Sequence, residues 1–187
     1  KVLLIDGDLR HGSSSMLIGS PGEGLSDYLN GRVADIHDIL YKGEENGLVK
    51  YFDVIPIGTI PPNPTELLFT PLLEQMIKTM RQEYDYVFID CPPIEVVADT
   101  PIYEQFADRT IFVVRSGLMQ RSMLGDIEQI YKDKKFKNMS LILNGTKAQG
   151  GRYGHYYRYG YHYGYGYGYH YGSDKNGGGK IEKWNIG

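Results

Sequence analysis

The most constraining feature of the sequence is an apolar run that ends in two acids. Residues 2–5 are apolar without a break. Asp6 and Asp8 follow directly, with Gly7 between them. The run is typical of a strand buried on both faces of a parallel sheet. Because ligands of open α/β sheets bind at the carboxyl ends of strands, it predicts a site that holds a hard cation or accepts a proton.

A second apolar run has the same plan. Residues 86–89 are Tyr, Val, Phe and Ile, and Asp90 ends the run before Cys91, Pro92 and Pro93. The double proline stops a strand and stiffens its exit. A hydrophobic strand that ends in Asp is typical of the element that orients Mg²⁺ in P-loop nucleotide enzymes. One such run is a weak signal, since many strands end in Asp at a turn, but the two runs together are far more specific.

Strands and helices are predicted to alternate along the chain. Strands are predicted at 2–6, 36–41, 52–57, 86–90, 109–114 and 139–143, and helices at 25–31, 65–83 with a break at Pro71, 99–106 with Asp99 as its N-cap, and 121–134. This order predicts a mostly parallel α/β sheet with helices on both faces. Asp6, Asp90 and Asn144, which end three of these strands, are then expected along one edge of the sheet.

Charge is divided unevenly along the chain. From Gly145 onward six Lys or Arg stand against two acids, a net charge of +4, which leaves −7 for the rest of a chain whose total is −3. An acidic body argues against nucleic acid as a partner, since a surface that follows phosphates is basic. The one cysteine, Cys91, excludes a disulfide within the chain, and we expect it to fill space at the strand end. No apolar run reaches the roughly 18 residues of a membrane-spanning helix.

Tyrosine and glycine dominate the C-terminal segment. Residues 1–145 are predicted to form one domain and residues 146–187 a flexible tail, in which Gly at alternate positions costs backbone entropy and leaves one face of a strand with nothing to pack. Ten of the seventeen tyrosines lie in this tail: Tyr153, Tyr156, Tyr157, Tyr159, Tyr161, Tyr163, Tyr165, Tyr167, Tyr169 and Tyr171. Three interpretations are open: a self-associating low-complexity segment, a metal site of His155, His162 and His170, and a cluster of phosphate acceptors. We favour the third, because each phosphate adds about −1.5 to −2 charges and would repel the tail from the acidic body.

At these motifs the chain resembles the bacterial tyrosine kinases (BY-kinases) of capsule and exopolysaccharide export. Residues 3–10, Leu-Leu-Ile-Asp-Gly-Asp-Leu-Arg, resemble their Walker A′ motif, and residues 87–93, Val-Phe-Ile-Asp-Cys-Pro-Pro, resemble their Walker B motif. Residues 58–68 are similar to a segment between those motifs, and the tyrosine-rich tail resembles their autophosphorylation cluster. The resemblance covers roughly residues 1–171 and implies a P-loop NTPase-like fold of the MinD/ParA type.

The resemblance also implies an ATP-dependent protein-tyrosine autokinase that uses ATP and Mg²⁺. Asp6 and Asp90 would hold the metal ion. Asp8 would accept the tyrosine proton or orient the hydroxyl, although the roles of Asp6 and Asp8 could be exchanged. Arg10 would pair with these acids or steer the incoming tail. Asn144 would contact the adenine, while a simple Asn-Gly turn explains the same residue.

Partners and location follow from the same resemblance. The kinase would phosphorylate the tails of neighbouring subunits in a ring and so regulate polysaccharide synthesis and export. A membrane polysaccharide co-polymerase domain, upstream in the same chain or on a separate partner, would activate it at the cytoplasmic face of the bacterial inner membrane.

One motif of that family is absent from the sequence. The Walker A loop, G-x-x-x-x-G-K-[ST], lies before the Walker A′ strand in the family, and this chain begins at Lys1, inside or just before that strand. His11 and Gly12 also stand where relatives usually carry a basic residue and a proline. We expect the first strand, the loop and the first helix to precede this chain, and this piece alone to bind ATP poorly without turnover. A MinD/ParA-like assembly ATPase and a non-catalytic, self-associating adaptor are the alternatives.

Overall fold

The computed structural model describes residues 1–47, 50–93, 99–119 and 121–146. These residues belong to one unit that extends from Lys1 to Thr146. The predictions for the tail, namely the ten tyrosines between 153 and 171 and the three histidines among them, lie outside the described residues.

Strands and helices alternate along these residues, as predicted. The strands are β1 (Val2–Asp6), β2 (Phe52–Ile55), β3 (Tyr86–Asp90), β4 (Ile111–Arg115) and β5 (Ser140–Asn144). The helices are α1 (Ser13–Met16), α2 (Leu25–Leu29), α3 (Pro64–Leu68), α4 (Pro71–Glu83), α5 (Thr100–Glu104) and α6 (Leu124–Lys132). None of the helices in the described part of the chain combines the length and apolarity needed to cross a bilayer.

The strands form two parallel sheets. The first has the order β2-β1-β3 and the second pairs β4 with β5. In the first sheet Leu4 of β1 lies opposite Val54 of β2 and Phe88 of β3. The prediction of one continuous sheet differs from this arrangement, because within the described residues β3 pairs on one side only, with β1, and β4 on one side only, with β5. The strand ends at Asp6 and Asp90 therefore share a sheet, and Asn144 belongs to the other.

The core lies on the first sheet. Leu3 and Ile5 of β1 are fully buried, as its uninterrupted apolar run predicts. Helix α4 contacts both β3 and α2. Its buried residues recur at helical spacing: Leu73, Met76, Ile77 and Met80. Burial of these side chains stabilises the sheet whose carboxyl edge carries the acids.

Two prolines set the boundaries of α3 and α4. Pro64 and Pro71 each stand in the first turn of their helix, where a backbone N–H has no intrahelical acceptor and its absence in proline therefore costs no hydrogen bond. The predicted break at Pro71 is therefore confirmed, and one helical pattern becomes two helices.

The predicted strand at 36–41 is wrong. Residues Ile36–Ile39 form a 3-10 helix, and Tyr41 makes an isolated antiparallel bridge with Val54. The Asp35 side chain accepts a hydrogen bond from the His37 N–H and starts the turn. Ile36 and Ile39, three residues apart, are both buried, which is helical spacing rather than the alternation of a strand.

Candidate active site

The carboxyl ends of β1 and β3 bring the two acid-terminated strands side by side. Asp6 is the register partner of Asp90, and the Gly7 N–H donates to the Asp90 carbonyl oxygen at 2.8 Å. A Cβ atom at Gly7 would lie 2.9 Å from that oxygen and 3.1 Å from the Tyr103 ring, so this approach requires glycine. The structure thus joins the ends of the two motifs that the sequence singles out.

Asp6 is fully buried, and hydrogen bonds surround its carboxylate. Ser15 donates its N–H at 2.7 Å and its hydroxyl at 2.6 Å to Oδ2, and the Asp8 N–H donates to Oδ1 at 3.3 Å. Burial raises the pKa of the Asp6 carboxyl above its usual value, the Ser15 hydrogen bonds oppose that rise, and the charge of Asp90 adds to it. The ionised carboxylate is therefore held at an energetic cost, which a cation would reduce.

Asp90 is the solvent-exposed member of the pair. Its Oδ2 accepts a hydrogen bond from the Ser14 hydroxyl at 2.6 Å. Ser14 and Ser15 are adjacent, so one turn of α1 donates to both acids. The sequence analysis did not identify these serines. The available signal was the run Ser13–Ser15 just after the Asp-x-Asp-x-Arg motif, since serine side chains in turns often bond to nearby polar groups.

Asp8 lies in the turn that follows β1, and its carboxylate is mostly covered. Oδ1 accepts from the Arg10 N–H at 3.2 Å, and Nδ1 of His11 lies 3.2 Å from Oδ2. The N–H groups of His11 and Gly12 donate to the Asp8 carbonyl oxygen at 3.2 and 3.0 Å. The turn itself thus orients this carboxylate, which a proton-accepting group requires.

The guanidinium of Arg10 is bound to residues outside the two motifs. Nη1 forms an ion pair with Asp99, and Nη2 donates to Thr65 Oγ1 at 2.8 Å. Asp99 stands at the N-cap position of α5, as predicted, but its side chain makes no cap hydrogen bond because it binds Arg10 and Thr65 instead. The guanidinium was predicted to pair with the motif acids or to steer the tail, and its partners Asp99 and Thr65 differ from that prediction.

Asn144 ends β5 in the second sheet. Its register partner is Arg115, its carbonyl oxygen accepts from the Ser116 N–H at 2.8 Å, and Gly145 follows with a φ of 70°. A turn at this strand end accounts for both residues of the Asn-Gly pair. Contact between Asn144 and an adenine stays a prediction.

Cys91 follows Asp90 and is half-buried. Burial raises the pKa of its thiol to about 12, and the charge of Asp90 adds to the rise. A thiol with so high a pKa carries little reactive thiolate near neutral pH. This agrees with a space-filling role for Cys91 at the strand end.

Asp6 and Asp90 have the chemistry of a magnesium site beside phosphates. Mg²⁺ is commonly bound by one or two carboxylates and completes its shell with water and substrate phosphate oxygens. The two acids supply carboxylates from adjacent strands, and their mutual repulsion favours a cation nearby. Within residues 1–47, 50–93, 99–119 and 121–146 no group of three His, Cys, Asp or Glu could hold a metal alone, so water or phosphate would complete the site.

Sequence relatives of the chain are named as tyrosine kinases. No protein-family model matches the chain. It is 33% identical over 158 residues to tyrosine-protein kinase CpsD of Streptococcus agalactiae, which covers 83% of this chain and 67% of that relative. It is 34% identical over 151 residues to the putative tyrosine-protein kinase AmsA of Erwinia amylovora, which covers 80% of this chain and 19% of that relative. The chain thus spans about two thirds of the first relative and about a fifth of the second.

Solved structures agree with these relatives. The kinase domain of Escherichia coli tyrosine kinase ETK matches with a TM-score of 0.70 and 34% identity, over 87% of this chain and 61% of that domain. A MinC:MinD cell division protein complex of Aquifex aeolicus matches with a TM-score of 0.56 and 23% identity, over 79% of this chain and 57% of that one, which shows a shared fold alone. The fold is thus the predicted P-loop NTPase-like type, and the chain belongs to the family of bacterial tyrosine-protein kinases.

Proposed function

We propose that the protein containing this chain transfers the γ-phosphoryl group of ATP to tyrosines of its own C-terminal tail. The observation that carries the proposal is the register pairing of Asp6 with Asp90, with Asp8 two residues further on. Three acids at the carboxyl edge of a parallel sheet, in a chain related to tyrosine-protein kinases, suit phosphoryl transfer.

The three acids have different proposed roles. Asp6 and Asp90 would hold Mg²⁺, directly or through water, and the ion would supply neutralisation of charge on the phosphates. Asp8 takes the proton of the attacking tyrosine hydroxyl or orients that hydroxyl. The tyrosine oxygen forms a new bond to the γ-phosphorus while the bond from that phosphorus to the β-γ bridging oxygen breaks, and ADP leaves with the electron pair.

The proposed reaction also needs a phosphate-binding loop. No G-x-x-x-x-G-K occurs in the sequence, and such a loop supplies the backbone N–H groups and the lysine that hold phosphates. Within the described part of the chain β3 and β4 each have one unpaired edge, which supports a further parallel strand between the two sheets. Exposed apolar side chains on those strands, such as Phe88 at 47% and Val113 at 57%, support an added covering layer.

The acceptors are the ten tyrosines between 153 and 171, supplied in trans by a neighbouring subunit. A tail with a net charge of +4 is attracted to a body with −7, and several phosphates reverse that attraction. The kinase acts at the cytoplasmic face of the bacterial inner membrane, with a polysaccharide co-polymerase domain as its activator, and regulates capsule or exopolysaccharide synthesis and export.

The test uses the full-length protein with ATP and Mg²⁺. Phosphotyrosine is mapped by mass spectrometry in the native protein, in Asp8→Asn and in Asp53→Asn, a buried acid that lies within β2 rather than at the carboxyl edge. We expect tail phosphorylation in the native protein and Asp53→Asn, and its loss in Asp8→Asn. ATP hydrolysis with an unmodified tail would indicate an assembly ATPase of the MinD/ParA type. Self-association with neither activity would indicate an adaptor.

A further inference from the structure

Arg10, Thr65 and Asp99 make three mutual contacts. Arg10 forms an ion pair with the Asp99 carboxylate through Nη1 and donates to Thr65 Oγ1 at 2.8 Å through Nη2. The Thr65 hydroxyl donates to the other Asp99 oxygen at 2.7 Å. We call this group the Arg10 network. All three contacts join residues that are far apart in sequence, so no local pattern predicts them.

The network is largely shielded from water. Asp99 is fully buried, and the Arg10 side chain is 28% exposed. Burying a carboxylate is costly unless it is paired and hydrogen-bonded, and here each oxygen has a partner. A buried ion pair is a weak source of stability but a strong constraint on geometry, because removing one partner leaves an uncompensated charge. This makes a role in positioning more plausible than a role in stability alone.

Three segments of the chain meet at the network, and one of them is the turn of the candidate active site that carries Asp8. Arg10 belongs to the turn that carries Asp8, Thr65 lies in the first turn of α3, and Asp99 directly precedes α5. Arg10 is tied to Asp8 as well, since its N–H donates to the Asp8 carboxylate at 3.2 Å. One residue therefore contacts the proposed proton acceptor through its backbone and the buried network through its side chain.

We propose that Arg10, Thr65 and Asp99 are positioning residues that fix the turn bearing Asp8. The Arg10 guanidinium then binds the Asp99 carboxylate and does not contact a nucleotide or an incoming tyrosine. The proposal rests on the proposed function for its effect on rate. Its effect on the turn is independent of catalysis.

The kinetic test compares Asp99→Asn, Thr65→Val and Thr65→Ser in the full-length protein. The control is Asp108→Asn, which removes the exposed ion pair between Asp108 and Arg81. We expect kcat to fall on the order of 100-fold in Asp99→Asn, since a misplaced reacting group costs that much, with KM for ATP and for a tyrosine peptide within about twofold of native. The kcat of Thr65→Val should fall less than that of Asp99→Asn. Thr65→Ser, which keeps the hydroxyl, should restore kcat, and the kcat of Asp108→Asn should match that of the native protein.

A second readout needs no activity. The His11 and Gly12 N–H groups donate to the Asp8 carbonyl oxygen, so their hydrogen exchange reports on the turn. Exchange measured without nucleotide should accelerate at both amides in Thr65→Val and Asp99→Asn, and not in Asp108→Asn. Thr65→Val keeps the side-chain volume, so the hydrogen-exchange test can rest on this variant if Asp99→Asn fails to fold.

The outcomes distinguish the positioning role of the Arg10 network from the proposed kinase function. A raised KM with unchanged kcat would show that Arg10 meets a substrate and would overturn the positioning role. Unchanged exchange at His11 and Gly12 would overturn it as well. Faster exchange in Thr65→Val and Asp99→Asn, together with a native protein that has no kinase activity, would support the network and refute the proposed function instead.

Discussion

Strands β1 and β5, one from each sheet, both contain an apolar run and reach opposite degrees of burial. Leu3 and Ile5 of β1 are completely buried between neighbouring strands and helices. Leu141 and Leu143 of β5 are 55% and 57% exposed, although they belong to an unbroken apolar run of three residues, Leu-Ile-Leu. Strand composition therefore predicts that a strand forms, while its burial depends on which elements cover it.

The polar residues that end β1 and β5 also differ in burial. At the end of β1 the Asp6 carboxylate is enclosed by donors from α1, and Asp90 lies beside it. At the end of β5 Asn144 is exposed and lies opposite Arg115. Only the first edge concentrates negative charge, which is where a cation and a triphosphate would be stabilised.

Matched leucine truncations test the difference in burial most strongly. Leu3→Ala removes a fully buried side chain and should lower the free energy of unfolding by about 2–5 kcal/mol, through lost transfer energy and a new cavity. Leu141→Ala removes a half-exposed side chain from β5 and should cost under about 1 kcal/mol. Urea unfolding of residues 1–187 measures both. Equal losses would mean that β5 is covered as fully as β1.

Gly7→Ala tests the close approach of β1 to β3. The added Cβ would lie 2.9 Å from the Asp90 carbonyl oxygen, so we expect a loss of about 1–3 kcal/mol from overpacking. Gly125→Ala, in the first turn of α6, adds a Cβ that would meet no tertiary neighbour within 4 Å among the described residues, and it should gain about 0.5–1 kcal/mol from helix propensity. Thermal unfolding shows whether each variant is less or more stable than the native protein. A Gly7→Ala variant as stable as the native protein would contradict the close contact with Asp90.

Ser15→Ala tests the donors around Asp6. The Ser15 hydroxyl donates to Asp6 and accepts from the Ile57 N–H at 2.9 Å, so its loss leaves buried groups unsatisfied and should cost about 1–3 kcal/mol. Ser116→Ala, at an exposed position after β4, should change stability by less than about 0.5 kcal/mol. Urea unfolding at pH 7 compares them, and similar values would argue that Asp6 does not depend on Ser15.

The smallest effect concerns pH. Hydrogen bonds from the His37 ring to the Asp35 carboxylate and then to Glu83 raise the pKa of His37 above 6.5. A raised folded-state pKa adds stability that is complete below 6.5 and is lost as pH rises through the higher value. The melting temperature of the native chain should therefore fall more than that of His37→Gln across this window. Parallel pH profiles would show that the histidine contributes nothing.

Much of the first sheet could be predicted because its signals are local. An unbroken apolar run followed by Asp predicts a buried strand and its polar end. Both strands and both polar ends form, but only β1 is largely buried, since Tyr86 and Phe88 of β3 are 66% and 47% exposed, and the prediction of burial for β3 is wrong. The register of Asp6 with Asp90 follows from the tendency of parallel strands to share a carboxyl edge. The Pro71 break was predictable for the same reason, since proline acts on its own helix.

The parts that could not be predicted depend on tertiary contacts. Asp99 has the sequence position of an N-cap, yet its carboxylate binds Arg10, because a buried ion pair outweighs a local cap. The 3-10 helix at 36–39 was assigned as a strand because short apolar runs fit either periodicity. The separation of the two sheets depends on pairing partners that no single strand reveals.

The most direct test of the central claim measures divalent metal binding at the edge formed by β1 and β3. Mn²⁺ binding to the full-length protein is followed by electron paramagnetic resonance with a non-hydrolysable ATP analogue, in the native protein, in Asp90→Asn and in the control Asp53→Asn. The account predicts that Asp90→Asn weakens Mn²⁺ binding by at least about tenfold while Asp53→Asn leaves it within about twofold. Native affinity in Asp90→Asn would contradict a metal site at Asp6 and Asp90, and with it the proposed kinase chemistry.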